Sequence, residues 1–95
     1  MTRDEILAAA RQCISVDRAE TYGDAKTNFG NIAALWSAYL GVPVSAVDAG
    51  AMLALFKIAR FKANPAHHDS AIDCAGYIAL AGEIATELST QVDKV

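Results

Sequence analysis

Two groups of charged residues stand out because they lie at helical spacing within otherwise apolar segments. Lys57 and Arg60 follow a run of apolar residues and lie three positions apart, which places both on one side of a helix. Asp69 and Asp73 lie four positions apart in the next segment and share one side of that helix. The short connection between the segments predicts antiparallel neighbouring helices. The basic and acidic side chains can therefore meet.

These side chains have the chemistry of a phosphate and metal site. Two carboxylates one helical turn apart suit Mg²⁺, which prefers oxygen ligands and keeps several waters. Lys57 and Arg60 are suited to hold phosphate oxygens, and the set together predicts metal-assisted hydrolysis of a phosphoanhydride. A structural alternative stays open, in which Asp69 caps its helix and Asp73 pairs with Lys57 or Arg60.

The elements that position these residues are all predicted to be helical. Apolar residues recur with the period of an α-helix, and no segment shows the alternation typical of a strand. The sequence predicts an all-α, four-helix bundle-like fold that forms a single domain over residues 1–95. The four helices are expected at Arg3 to Asp17, Ala25 or Asn28 to Leu40, Ala46 to about Ala63, and from a cap at Asp69 or Ser70 to about Ser89.

Local signals mark several of these helix ends. Two capping boxes are predicted, one formed by Thr2 with Glu5 and the other by Ser45 with Asp48. Gly41 is expected to end the second helix. The segment from Asp17 to Asn31 is polar, and residues 20–24 are interpreted as a loop because Gly23 breaks the helical pattern.

Composition and charge exclude several classes of function. The chain has 95 residues, a net charge of −3 and 54% hydrophobic residues, so a basic stripe for duplex nucleic acid is not expected. No apolar run is long enough to span a bilayer, and we expect a cytoplasmic protein. Cys13 and Cys74 lie far apart and are expected to be small buried side chains in a reducing compartment.

The third predicted helix is apolar on nearly all sides, from Met52 to Phe61. A helix of this kind must be covered on most of its surface. Three short neighbours leave part of it open, and a large open apolar surface usually marks an interface. The sequence therefore predicts a homo-oligomer, with a tightly packed monomeric bundle as the alternative.

Four motifs follow one another between Arg18 and Tyr77: Tyr22-Gly23, Asn28-Phe29, Lys57-x-x-Arg60 and Asp69-x-x-x-Asp73-x-x-Gly76-Tyr77. This combination resembles small phage and prophage proteins of uncharacterised function, which are similar to the group called nucleotide modification associated domains. More distantly, the Asp69–Asp73 helix is similar to the second acidic helix of the MazG-like all-α nucleoside triphosphate pyrophosphatases. The other acidic helix of that superfamily carries a Glu-x-x-Glu pair, for which Glu20 and Asp24 are the nearest substitutes here.

The resemblance implies a protein that acts on or binds nucleotides. Asp69, Asp73, Glu20 and Asp24 would hold Mg²⁺ as the cofactor of a nucleoside triphosphate pyrophosphohydrolase. The nucleotide, or another small phosphate ligand, would contact Lys57, Arg60, Tyr22 and Asn28. The alternative is a non-catalytic, oligomeric helical module of phage or prophage origin that uses the same surface for binding.

Overall fold

The structure is a computed structural model that describes residues 1–17 and 24–93, and the side chains of residues 1–15 and 24–88. The described chain forms four α-helices and one π-helix, and it contains no strand. The elements are α1 (Arg3–Gln12), a π-helix (Cys13–Asp17), α2 (Ala25–Leu40), α3 (Ala46–Ala63) and α4 (His68–Asp93). The prediction of an all-α fold is confirmed.

Local hydrogen bonds begin and end these helices where the sequence predicts them. At α1 the amide of Thr2 donates to the Glu5 carboxylate at 3.1 Å, and the amide of Glu5 donates to the Thr2 hydroxyl at 3.2 Å. Ser45 and Asp48 form the same reciprocal pair at the start of α3. Gly41 ends α2 in the left-handed conformation with φ of 73°, which a residue without a Cβ adopts at little cost.

Three helix boundaries differ from the prediction, and one of them is the end of the last helix, which continues to Asp93 instead of about Ser89. The first α-helix ends at Gln12, and the chain continues to Asp17 as a π-helix, in which each turn takes up one residue more than an α-turn. The last helix begins at His68, because the carbonyl of His67 already accepts a hydrogen bond from the Ser70 amide at 3.2 Å. The expected cap at Asp69 or Ser70 is therefore wrong, since both residues lie inside the first turn.

The core lies where α2 crosses the pair formed by α3 and α4. Phe29 of α2 is fully buried, and Leu80 and Ile84 of α4 complete the same cluster. Gly50 of α3 allows this close approach. A Cβ built on Gly50 would lie 2.8 Å from both the Cβ of Ala81 and the Cε2 of Phe29.

The other described helices leave one side of α3 uncovered. Helix α3 packs mainly on α4, which also carries α1, while α2 packs on α3. Several large apolar side chains of α3 remain exposed, namely Met52, Leu55, Phe56, Ile58 and Phe61. No helix among the described residues is both long enough and apolar enough to cross a membrane.

The two cysteines differ from the sequence expectation. Cys13 is exposed and Cys74 is half-buried, so the prediction that both are buried side chains is wrong. Cys13 lies at the start of the π-helix, where the extra residue changes the direction of the side chains relative to a regular α-helix. The interpretation of a small apolar core residue therefore does not apply to Cys13.

Candidate functional site

The centre of the candidate site is an ion pair between α3 and α4. The Nζ of Lys57 lies 3.0 Å from a carboxylate oxygen of Asp73, and their side chains are 19% and 37% exposed. The antiparallel connection brings the basic side of α3 to the acidic side of α4, as the sequence predicts. The pairing also matches the structural alternative, because a partly buried lysine and aspartate satisfy each other.

Arg60 lies one turn from Asn64, near the C-terminal end of α3, and rests on an aromatic ring. Its guanidinium carbon is 4.7 Å from the centre of the Phe56 ring, and the Nζ of Lys57 is 5.8 Å from the same centre. Both distances fall within the range of cation–π contacts. Arg60 is exposed, and within residues 1–15 and 24–88 no carboxylate lies within 4.0 Å of it.

Phe56 is the functional candidate that the sequence interpretation misses, because that interpretation counts Phe56 among the apolar residues of the third helix. The available signal was its position four residues before Arg60, a spacing at which an aromatic ring and a guanidinium meet on a helix surface. We use the name cationic surface for Phe56, Lys57 and Arg60. Half of Phe56 is open to solvent.

Asp69 lies on the first turn of α4, one helical turn before Asp73. Its carboxylate is 3.9 Å from the Nε2 of His67, and both side chains are largely exposed. The two aspartates therefore differ in environment. Asp73 is held by Lys57, whereas Asp69 faces solvent beside a histidine.

The remaining candidate residues lie at the start of α2 or before it. Asp24 caps α2, because its carboxylate accepts hydrogen bonds from the amide and hydroxyl of Thr27, both at 3.1 Å. Asn28 lies in the first turn of α2 and is half-buried. Glu20 and Tyr22 lie outside the described residues.

The Mg²⁺ site therefore stays a prediction. Asp69 and Asp73 share one side of α4, but the residues that the structure describes contain no group of three or more His, Cys, Asp or Glu side chains placed to hold a metal ion. Asp24 is engaged in capping. Glu20, the fourth predicted ligand, is among the residues not described.

Tyr77 lies on the same side of α4 as the two aspartates, four residues after Asp73. Its ring centre is 6.3 Å from that of Phe29, with an angle of 48° between the planes. This tilted geometry is typical of packed aromatic pairs. The ring of Tyr77 therefore packs against the core cluster of Phe29, Leu80 and Ile84.

Comparison with known proteins identifies relatives of this chain. Residues 5–85 match the family described as Domain of unknown function (DUF6378). The chain is similar to Gene 55 protein of Mycobacterium phage L5, with 48% identity over 73 residues, which are 76% of this chain and 47% of the relative. It is also similar to Gene 55 protein of Mycobacterium phage D29, with 40% identity over 74 residues, 78% of this chain and 49% of the relative.

The chain spans about half the length of these curated relatives. No solved structure matches it. The similarity to these proteins therefore establishes the family of this chain.

Proposed function

Because this chain belongs to the phage-derived family described as Domain of unknown function (DUF6378), we propose that it is a helical module that binds a nucleotide or another small phosphate compound. The ligand lies on the cationic surface of Phe56, Lys57 and Arg60. The phosphate oxygens contact Arg60, with Lys57 adding positive charge beside them. Asn28 and Tyr22 are proposed as further ligand contacts.

The observation that carries this proposal is the guanidinium of Arg60 resting on Phe56, at 4.7 Å from the ring centre. A guanidinium presents donors in a rigid fork that matches two phosphate oxygens. Stacking on the ring restricts the side chain before the ligand arrives, which lowers the entropy lost on binding. The open part of the Phe56 ring offers a surface on which a base can stack.

A Mg²⁺-dependent nucleoside triphosphate pyrophosphohydrolase is the second candidate. It is favoured by the one-turn spacing of Asp69 and Asp73 beside the cationic surface, with Asp69 open to solvent. This candidate needs at least one further carboxylate, and Glu20 is the proposed source. Lys57 would have to share Asp73 with the metal ion, since it now lies 3.0 Å from that carboxylate.

Calorimetric titration with a panel of nucleoside mono- and triphosphates, with and without Mg²⁺, tests the proposal. We expect binding by the wild-type chain and a loss of affinity of about tenfold or more in Arg60→Ala, because a hydrogen bond to a charged group contributes about 1.5–3 kcal/mol. Arg11→Ala is the matched control. Arg11 is an exposed arginine near the end of α1 and should leave the affinity unchanged.

A pyrophosphate-release assay on the same samples separates the two candidates. Release that disappears in Asp73→Asn, with the helical circular dichroism retained, identifies the hydrolase. Binding without release identifies the module. If no compound of the panel binds, or if Arg60→Ala and Arg11→Ala weaken binding equally, the proposed site is wrong.

A further inference from the structure

The outer side of α3 has an internal symmetry in its sequence. At 100° per residue, seven side chains fall on this side, and we call them the outer face: Asp48, Ala51, Met52, Leu55, Ile58, Ala59 and Lys62. Leu55 lies at its centre, seven positions from both Asp48 and Lys62. The other six residues form three pairs at equal distances before and after Leu55. Two pairs are apolar, Met52 with Ile58 and Ala51 with Ala59, and the third pair, Asp48 with Lys62, is oppositely charged.

The outer face is exposed and mostly apolar. Leu55 is 61% exposed, Ile58 50% and Met52 38%, although these residues belong to the helix that carries part of the core. A contiguous exposed apolar surface of this kind typically marks an interface.

We propose that the outer face binds a second copy of this chain, with the two α3 helices antiparallel about a two-fold axis at Leu55. In that arrangement Leu55 meets Leu55 of the second copy, and Met52 meets Ile58. Asp48 and Lys62 each lie seven residues from Leu55, which is about 10 Å along the helix on either side of the axis. Asp48 of each copy therefore lies opposite Lys62 of the other copy, and the opposite charges attract. Ala51 faces Ala59, and their small side chains allow close packing.

The charges decide the direction of the two helices. A parallel pair in the same register would place Asp48 against Asp48 and Lys62 against Lys62, which is unfavourable for both pairs. The antiparallel pair converts both contacts into attractions, and it is the isologous arrangement of a two-fold dimer. The proposed dimer uses only the outer face and does not depend on ligand binding by the cationic surface.

The oligomeric state of the purified full chain tests this inference. Light scattering coupled to size-exclusion chromatography should give the mass of a dimer when the chain is loaded at about 100 µM. Dilution over a hundredfold range then measures the dissociation constant of the dimer. Leu55→Glu places two carboxylates at the two-fold axis and should weaken dimerisation by about a hundredfold or more. Leu7→Glu is the control, because Leu7 has nearly the same exposure, 60%, and lies on α1.

A charge exchange tests the antiparallel register. Lys62→Glu opposes two carboxylates in each contact and should weaken the dimer by about tenfold at low salt. The double variant Asp48→Lys with Lys62→Glu restores the attraction and should dimerise more tightly than Asp48→Ala with Lys62→Glu, which loses the same capping hydrogen bond at Ser45. Circular dichroism verifies that each variant keeps its helices.

Three results overturn the inference. The first is a wild-type chain that remains monomeric at the highest concentration. The second is a dimer that Leu55→Glu and Leu7→Glu affect equally. The third is a double charge variant that dimerises no more tightly than Asp48→Ala with Lys62→Glu, which would exclude the antiparallel register.

Discussion

At the scale of single residues, Gly50 has the strictest size limit among the described glycines. A Cβ at this position would lie 2.8 Å from both Ala81 and Phe29, and Phe29 is fully buried. We expect Gly50→Ala to lower the free energy of unfolding by about 1–2 kcal/mol, because overpacking costs more than the gain in helix propensity. Chemical denaturation monitored by circular dichroism measures the change.

Gly30→Ala is the control for this prediction. Gly30 also lies inside a helix, but a Cβ there would meet no atom within 4 Å. The same substitution should therefore raise stability by about 0.5–1 kcal/mol through helix propensity alone. Equal effects of the two substitutions, or a stabilising Gly50→Ala, would contradict the crossing of α2 and α3 described above.

The sequence predicts some residue contacts and not others. The pairing of Lys57 with Asp73 follows from helical spacing and a short connection, and it was one of two open interpretations. The role of Gly50 did not follow, because it depends on where α2 crosses α3, and spacing within one helix carries no information on that point. The contact of Arg60 with Phe56 is local and could have been predicted from their four-residue separation.

At the scale of helices, the two capping boxes make stability depend on pH. The pKa of Asp48 is lowered mainly by the hydrogen bond from the backbone amide of Ser45 and, to a smaller extent, by a hydrogen bond with the Ser45 hydroxyl. The amide and hydroxyl of Thr2 lower the pKa of Glu5 in the same way. A carboxyl group with a lowered pKa in the folded state stabilises the protein above its unfolded pKa. It loses that contribution as the pH falls through the folded value.

We therefore expect Asp48→Asn and Glu5→Gln to lower the Tm most at about pH 6–7. The difference from wild type should shrink as the pH falls below about 4, where the unfolded carboxyl groups become protonated. Thermal melts between these pH values provide the test. A difference that stays constant down to about pH 3 would show that ionised carboxylates do not act in these caps.

Helix ends are predictable to the extent that their hydrogen bonds are local. Thr2, Ser45 and Gly41 act on residues within four positions, and all three were predicted. The π-helix at Cys13–Asp17 was not, since an α-helical and a π-helical turn have similar apolar patterns over five residues. Helix α4 begins two or three residues earlier than the predicted cap at Asp69 or Ser70 implies, because the backbone carbonyl of His67 accepts the hydrogen bond that forms the first turn.

At the scale of the whole molecule, the proposed dimer links unfolding to concentration. A dimer that dissociates on unfolding gains stability by mass action. A hundredfold increase in chain concentration should therefore raise the Tm by about 5 °C for a protein of this size. Leu55→Glu should show no such dependence. A wild-type Tm that is independent of concentration would count against the assembly.

The buried interior is built largely from small side chains, and this determines which substitutions its positions can tolerate. Among the side chains that the structure describes, nine apolar residues are buried and five of them are alanine, namely Ala10, Ala33, Ala49, Ala54 and Ala81. Truncation removes little volume at such positions, whereas any enlargement must push two helix backbones apart. Neutral evolution in this fold is therefore expected to hold side-chain size constant inside the bundle. Hydrophobicity alone is a poor guide to which substitutions are tolerated there.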